Sequence, residues 1–272
     1  MSIPSTPEAT SEGSRASAPE ASAEAVSAGL PALLCGAEPA LLENAGRHWP
    51  IFAALSEESL RTGADRLVEA EDRDRRPVTV SLAEVLDDLR AAHPRGLYLR
   101  HQSVSRFDPA LPGLVPREVR RLNWLMALEP DARPDWSWLM IGAAGTSSPL
   151  HVDVMASAAW NLLCAGAKRW TFHPPKQAEE WRLLPPGCAG DTRDPRPREF
   201  VQRPGDIVVT PSGWAHEVHN LTGSIAVTSN FINRSNLEFA LRYFDLIGDT
   251  DAHDVLTAVG AAFARHGEGE ER

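Results

Sequence analysis

The period of the apolar positions changes along the chain, and each change marks an element. Residues 224–232 alternate apolar and polar side chains, the two-residue period of a strand, with Ala226, Thr228 and Asn230 on one face. Residues 97–100, 136–141, 158–163, 168–173 and 207–210 are short strand-like runs bounded by turn residues. Between the third and fourth of these runs, Cys164-Ala165-Gly166-Ala167 reads as a hairpin turn, which predicts that Asn161 and Lys168 occupy neighbouring strands.

Outside the strands the period is helical. Ser81 and Glu84 form a capping box, Val80 can staple against Val85, and Leu82, Val85, Leu86 and Leu89 make an apolar stripe that stops before Pro94. Ser56 is a candidate cap for a second helix, whose first turn carries Glu57 and Glu58. Residues 39–45 read as a helical turn leading to Trp49, an anchor on the core. Leu237, Leu241, Phe244 and Ile247 mark one C-terminal helix, and Val255, Val259 and Phe263 another. That pair either covers the barrel or forms a homodimer interface. Residues 102–135 are irregular and partly helical, with Leu122, Trp124, Leu125, Met126 and Leu128 as core. Residues 174–203 are rich in proline and show no period, as expected of a long excursion able to close over a barrel mouth.

Composition narrows the class. A chain of 272 residues, 43% apolar, can bury a large core in one domain of sandwich or barrel type. No apolar run is long enough to span a bilayer. The net charge of −10 argues against broad attraction to nucleic acid or to an anionic membrane. Cys35, Cys164 and Cys188 are widely spaced and odd in number, so neither a disulfide framework nor a thiolate zinc site is indicated, which fits a reducing cytoplasm. Residues 1–28 contain no aromatic residue, lack the apolar stretch of a secretory signal and read as a disordered tail. The domain expected after it covers residues 29–235, and residues 236–272 hold the C-terminal helices and a short tail.

The chemistry concentrates in two segments. His151 and Asp153 are two residues apart in strand-like sequence, so their side chains point the same way and can share one metal ion. An isolated pair of this kind is as often a hydrogen bond. His216, after the Pro211-Ser212-Gly213 turn, is the candidate third ligand. His219 competes with it, but residues three apart on a strand face opposite sides. Two histidines and a carboxylate on one face of an octahedral ion leave three adjacent positions open, the arrangement expected of non-haem Fe(II) oxygenases. Lys168 alone would read as a solvated hairpin lysine, Tyr98 as a half-buried strand aromatic and Ser148 as ordinary loop. His173, His48, His93, His101, His253 and His266 read as surface or satisfied core residues.

Taken together, His151-Val152-Asp153, Asn161, Lys168, the Pro204-Gly205-Asp206 turn, Gly213-Trp214-Ala215-His216 and Thr228-Ser229-Asn230-Phe231 resemble the Jumonji C branch of the cupin-type Fe(II)/2-oxoglutarate oxygenases over roughly residues 97–233. The resemblance implies a mainly β fold, a double-stranded β-helix (cupin, jelly-roll) core with N- and C-terminal helices. It implies His151, Asp153 and His216 as ligands of Fe(II). Lys168 would pair with the distal carboxylate of 2-oxoglutarate, helped by hydroxyls from Thr228 and Tyr98, with Ser148 lining the pocket. Arg169, the runner-up cation, faces the other way. Asn161 and Asn230 would place the metal-binding end of the cosubstrate or order the groups behind the ligands. The activity implied is an O2-dependent hydroxylation of a C–H bond in a peptide, protein side chain or small metabolite, with CO2 and succinate as coproducts. Oxidative N-demethylation, a cupin metal protein with non-oxidative activity and a silent binding module are the alternatives.

Overall fold

A computed structural model describes residues 23–190 and 196–270, with side chains over 29–190 and 196–265. The tail expected over residues 1–28 lies outside the described residues as far as residue 22, and from Ala23 the chain runs into a helix, Ala23–Leu34.

The strands are β1 (Ala40–Leu42), β2 (Leu67–Glu71), β3 (Pro77–Ser81), β4 (Tyr98–Ser103), β5 (Ser137–Gly142), β6 (Ser147–His151), β7 (Ala158–Ala165), β8 (Lys168–His173), β9 (Arg198–Gln202), β10 (Ile207–Thr210), β11 (Ala215–Asn220) and β12 (Ser224–Phe231). They form two antiparallel sheets. The larger has the order β1-β10-β7-β12-β5-β4-β2-β3, and the smaller β6-β11-β8-β9. This is a jelly-roll core of the cupin kind, with helices around it.

The pleat divides the large sheet into two faces. Leu139, Ile141, Leu162, Val209, Ile225 and Val227 point to one side and join a core with Ile51 and Leu55 of one short helix and Leu82, Val85 and Leu86 of another. Each such side chain contributes about 1.5–3 kcal/mol by leaving water. Their neighbours Trp138, Met140, Asn161, Thr210 and Thr228 point the opposite way, into a cavity facing the small sheet. The helix Leu82–Asp88 carries the capping box read from Ser81 and Glu84, and Ser56 caps Glu57–Arg61.

The structure corrects several local expectations. β7 and β8 do not form a hairpin: β7 pairs with β10 and β12, whereas β8 pairs with β11 and β9. The turn between them carries the chain from one sheet to the other, so Asn161 and Lys168 face each other across the cavity rather than along a ladder. Gly166 makes this corner, at φ +86° and so close to Gly223 that a Cβ there would stand 2.1 Å from the Gly223 carbonyl oxygen. Residues 40–42 form a strand instead of a helical turn, because Ala40, Leu41 and Leu42 complete the exposed edge of β10. The hairpin of β2 and β3 escaped notice because its turn is built without glycine: Asp72 Oδ1 accepts from the backbone N–H groups of Asp74 and Arg76 at 2.8 and 2.9 Å. Met126 is exposed rather than core.

The excursion after β8 contributes no described residue to the lining of the cavity. Its described residues hold the helix Pro175–Glu180, and Ala178, Leu184 and Cys188 pack with Ala156 and Ala215 behind the His151–Asp153 segment. The C-terminal helices Leu237–Ile247 and Thr250–Glu270 cover one end of the core, with Ala240, Phe244, Leu256 and Val259 against Trp136 and Ile232. No described helix is long and apolar enough to cross a membrane.

Candidate active site

The small sheet brings the two distant histidines together. His151 is the last residue of β6 and His216 is its direct cross-strand partner on β11, with ring centroids 4.3 Å apart. Asp153 lies just past the end of β6. Its Oδ1 is 3.8 Å from His151 Nε2 and 3.9 Å from His216 Nε2. These separations are too long for hydrogen bonds, yet the three ligand atoms lie within 4.8 Å of one another. The turn after Asp153 holds Met155 and Ala156 at φ 54° and 50°, left-handed conformations that fold the chain back sharply behind the carboxylate.

Each imidazole is held from behind. His151 Nδ1 donates to the carbonyl of Pro149 at 2.7 Å, and His216 Nδ1 to that of Trp214 at 3.2 Å. A carbonyl only accepts, so both Nδ1 atoms carry a proton, and both Nε2 atoms face Asp153. Burial pushes His216 down to about 4, opposed by the Asp153 carboxylate and aided by His151, so its ring is neutral near pH 7. Asp153 Oδ2 is buried with no hydrogen-bond partner among the described residues. A buried carboxylate oxygen left in that state is costly unless a cation completes it, and the donor set of two imidazole nitrogens and one carboxylate suits a divalent first-row metal. The residues fit a metal ion. His219 stays outside the group, half-exposed beside Glu217 at 3.7 Å, even though β11 is bulged between His216 and Val218.

A cavity of about 370 Å³ opens from these ligands between the sheets. Lys168 lines it and is only 1% exposed. Its Nζ donates to Asn220 Oδ1 at 2.9 Å, and no carboxylate among the described residues pairs with it. Asn220 is itself fixed, accepting from Ser224 Oγ at 2.8 Å and donating to Thr146 Oγ1 at 2.7 Å. Tyr98 stands beside the ammonium, its ring centroid 5.8 Å from Nζ and its hydroxyl 3.3 Å from Ser148 Oγ. Arg169 is exposed on the other face of β8.

Thr228, Asn161 and Asn230 line the large-sheet wall of the same cavity. Thr228 donates its hydroxyl to the carbonyl of Trp160 at 2.9 Å, and Asn230 Nδ2 donates to Ser157 Oγ at 2.9 Å. All nine residues singled out in the sequence therefore gather at one cavity. Sequence reasoning missed Asn220, because Asn220-Leu221-Thr222-Gly223, just before the strand at 224–232, reads as a turn. It also missed Gln202, fully buried, whose Oε1 accepts from Trp170 Nε1 at 2.8 Å while its Nε2 donates to Asn161 and to the carbonyl of Asp206. Arg100 and His101 also line the cavity. Arg100 was legible, since the same two-residue spacing that pairs His151 with Asp153 puts it on the face of Tyr98.

The sequence pattern of the family described as JmjC domain, hydroxylase, matches residues 192–231, which contain His216, Thr228 and Asn230. Over this segment the chain is similar to the JmjC family. Arginine-specific demethylase JMJ22 of Arabidopsis thaliana is 29% identical over 233 residues, 76% of this chain and 44% of that protein. The 2-oxoglutarate and iron-dependent oxygenase JMJD4 of Homo sapiens is 32% identical over 170 residues, 55% of this chain and 40% of its own. The bifunctional arginine demethylase and lysyl-hydroxylase psr-1 of Caenorhabditis briggsae is 30% identical over 128 residues, 39% of this chain and 32% of that protein. The chain thus spans less than half the length of these curated relatives.

Proposed function

We propose that this chain is an Fe(II)- and 2-oxoglutarate-dependent oxygenase that hydroxylates a C–H bond of a peptide, protein side chain or small metabolite. The observation that carries the reading is one cavity with two unmet needs among the described residues: the Asp153 carboxylate, whose Oδ1 faces two imidazoles and whose buried Oδ2 has no partner, and a buried ammonium without a carboxylate partner. A ferrous ion answers the first and a dicarboxylate the second. The names of the relatives from Homo sapiens and Caenorhabditis briggsae support the same chemistry.

His151, Asp153 and His216 would hold the iron. Bound there with 2-oxoglutarate and O2, it supplies the oxidising power that the protein lacks, releasing CO2 and succinate. The chain's own residues orient and shield. Lys168 receives the distal carboxylate while Asn220 keeps the ammonium in place, and Tyr98 offers its hydroxyl alongside. Thr228 joins by turning its hydroxyl from Trp160. Asn161, Asn230 and Ser148 complete the walls. With the ammonium buried, its pairing with a carboxylate is strong, because water competes little.

Demethylation of an N-methyl group uses the same residues, and the JMJ22 name favours that second reading. Leu246, Ile247 and Val255 are exposed on the C-terminal helices, which supports a homodimer through that face as part of the proposal. The test is succinate formation from 2-oxoglutarate with Fe(II) and O2, abolished by Asp153→Ala; an active Asp153→Ala protein would refute the ligand assignment.

A further inference from the structure

Arg100 follows Tyr98 by two residues on β4 and lines the same cavity. Its side chain is 19% exposed, and its Nη2 donates to Glu71 Oε1 at 2.9 Å. Its Nε is buried and has no hydrogen-bond partner among the described residues. A guanidinium N–H left this way costs about 1–3 kcal/mol, a cost relieved when an acceptor arrives with a ligand. Arginine at this place is thus half-used: Nη2 is held by Glu71, while Nε–H has no acceptor among the described residues although the side chain lines the cavity.

The charges around it restrict what can arrive. Glu71 already offsets the guanidinium, so a neutral oxygen completes its hydrogen bonding without burying an additional charge. Among the described residues, Asp153 is the one carboxylate lining the cavity, and it belongs to the metal group. No acid is left there to pair with a substrate guanidinium or ammonium, and burying such a group unpaired beside Arg100 and Lys168 would be costly.

We propose that Arg100 is a specificity-determining residue whose Nε–H receives a neutral carbonyl oxygen of the prime substrate, from a main-chain amide or a carboxamide, and that the group oxidised enters uncharged. The inference rests on the oxygenase reading of this cavity and narrows its substrate class. It favours hydroxylation of an uncharged side chain over demethylation of a basic one.

The experiment is a titration of the 272-residue chain labelled with 15N-arginine, loaded with Zn(II) and N-oxalylglycine so that the metal and dicarboxylate positions are filled. The Nε–H resonance of Arg100 is identified by its loss in Arg100→Lys. N-methylacetamide is expected to shift it saturably, methylguanidinium to leave it unmoved, and acetate to act only after Glu71→Gln removes the offsetting charge. The proposal is overturned by no response to N-methylacetamide, by an equal response to methylguanidinium, or by acetate acting as strongly on the unaltered protein. A shift on adding N-oxalylglycine itself would assign the Nε–H to the cosubstrate and also overturn it. None of these failures touches succinate formation, so the oxygenase reading stands or falls separately.

Discussion

Gln202 Nε2 donates to the main-chain oxygen of Asn161 at 2.9 Å and to its side-chain oxygen at 3.3 Å, which turns the Asn161 amide nitrogen toward Met140 and the cavity. Gln202→Leu keeps the volume but strands Trp170 Nε1 and the oxygens that Gln202 served, at about 1–3 kcal/mol for each buried group left unpaired. Urea denaturation should report that loss, and calorimetry should report weaker 2-oxoglutarate binding. An unchanged midpoint would mean that water replaces the amide.

Removing the Asp153 carboxylate should have opposite effects on stability and on metal binding. Its Oδ2 has no hydrogen-bond partner among the described residues, so Asp153→Ala should leave the melting temperature measured with a chelator level or raise it. Stabilisation by added Mn(II) should vanish, as should the weak visible charge-transfer band given by anaerobic Fe(II) with 2-oxoglutarate. A band that persists would exclude Asp153 as a ligand.

For Lys168→Ala the expected change is in cosubstrate affinity alone. Hydrogen bonds to charged groups are worth about 1.5–3 kcal/mol, so the dissociation constant for 2-oxoglutarate should rise by roughly 10- to 150-fold with metal affinity intact. Asn220→Ala should move it the same way by less, since the ammonium loses only its support. Isothermal titration separates the two outcomes, and equal affinity in Lys168→Ala would put the carboxylate anchor elsewhere.

His216 gives the metal-free protein a pH dependence of defined sign. In the folded chain it sits at about 4, against an ordinary value of 6.5. Below pH 6.5 the unfolded chain takes up a proton that the folded chain refuses, so stability falls as pH drops toward 4 and levels off beneath it. The loss across that window is on the order of 3 kcal/mol. His216→Gln should flatten the slope in chemical denaturation series at stepped pH.

Gly166→Ala tests the corner between the sheets. An alanine there meets the Gly223 carbonyl oxygen at 2.1 Å and must hold φ +86°. A destabilisation of at least about 2 kcal/mol is expected, visible as a fall in melting temperature of roughly 4–8 °C for a chain of this size.

How much of this was legible before the structure follows from range. His151 and His216 were readable because strand sequence and turn chemistry are local, whereas Asp153 lies just past the end of β6 and was found through its place in the order of the motifs rather than through strand alternation. The capping box at Ser81 was readable because it is local too. Asn220 was not, because its partner Lys168 lies on a different strand, and a polar residue before a turn looks like part of the turn. Gln202 was hidden likewise, since its partners Trp170, Asn161 and Asp206 come from three separate segments. The hairpin expected between β7 and β8 failed for a related reason: the four residues between them suit a tight turn, and only the packing of Gly166 against Gly223 reveals a crossing between sheets.

His151 and His216 stand across one rung between β6 and β11. An ion gripping both is a rivet through strands that meet late in the chain's numbering, and it fits one alignment only. Slide β11 by a single residue and the second imidazole turns to the outer face. Iron would then act as an inspector of assembly as well as a reagent: metal supplied during refolding should select correctly aligned molecules, and iron starvation should leave this protein misaligned as well as idle.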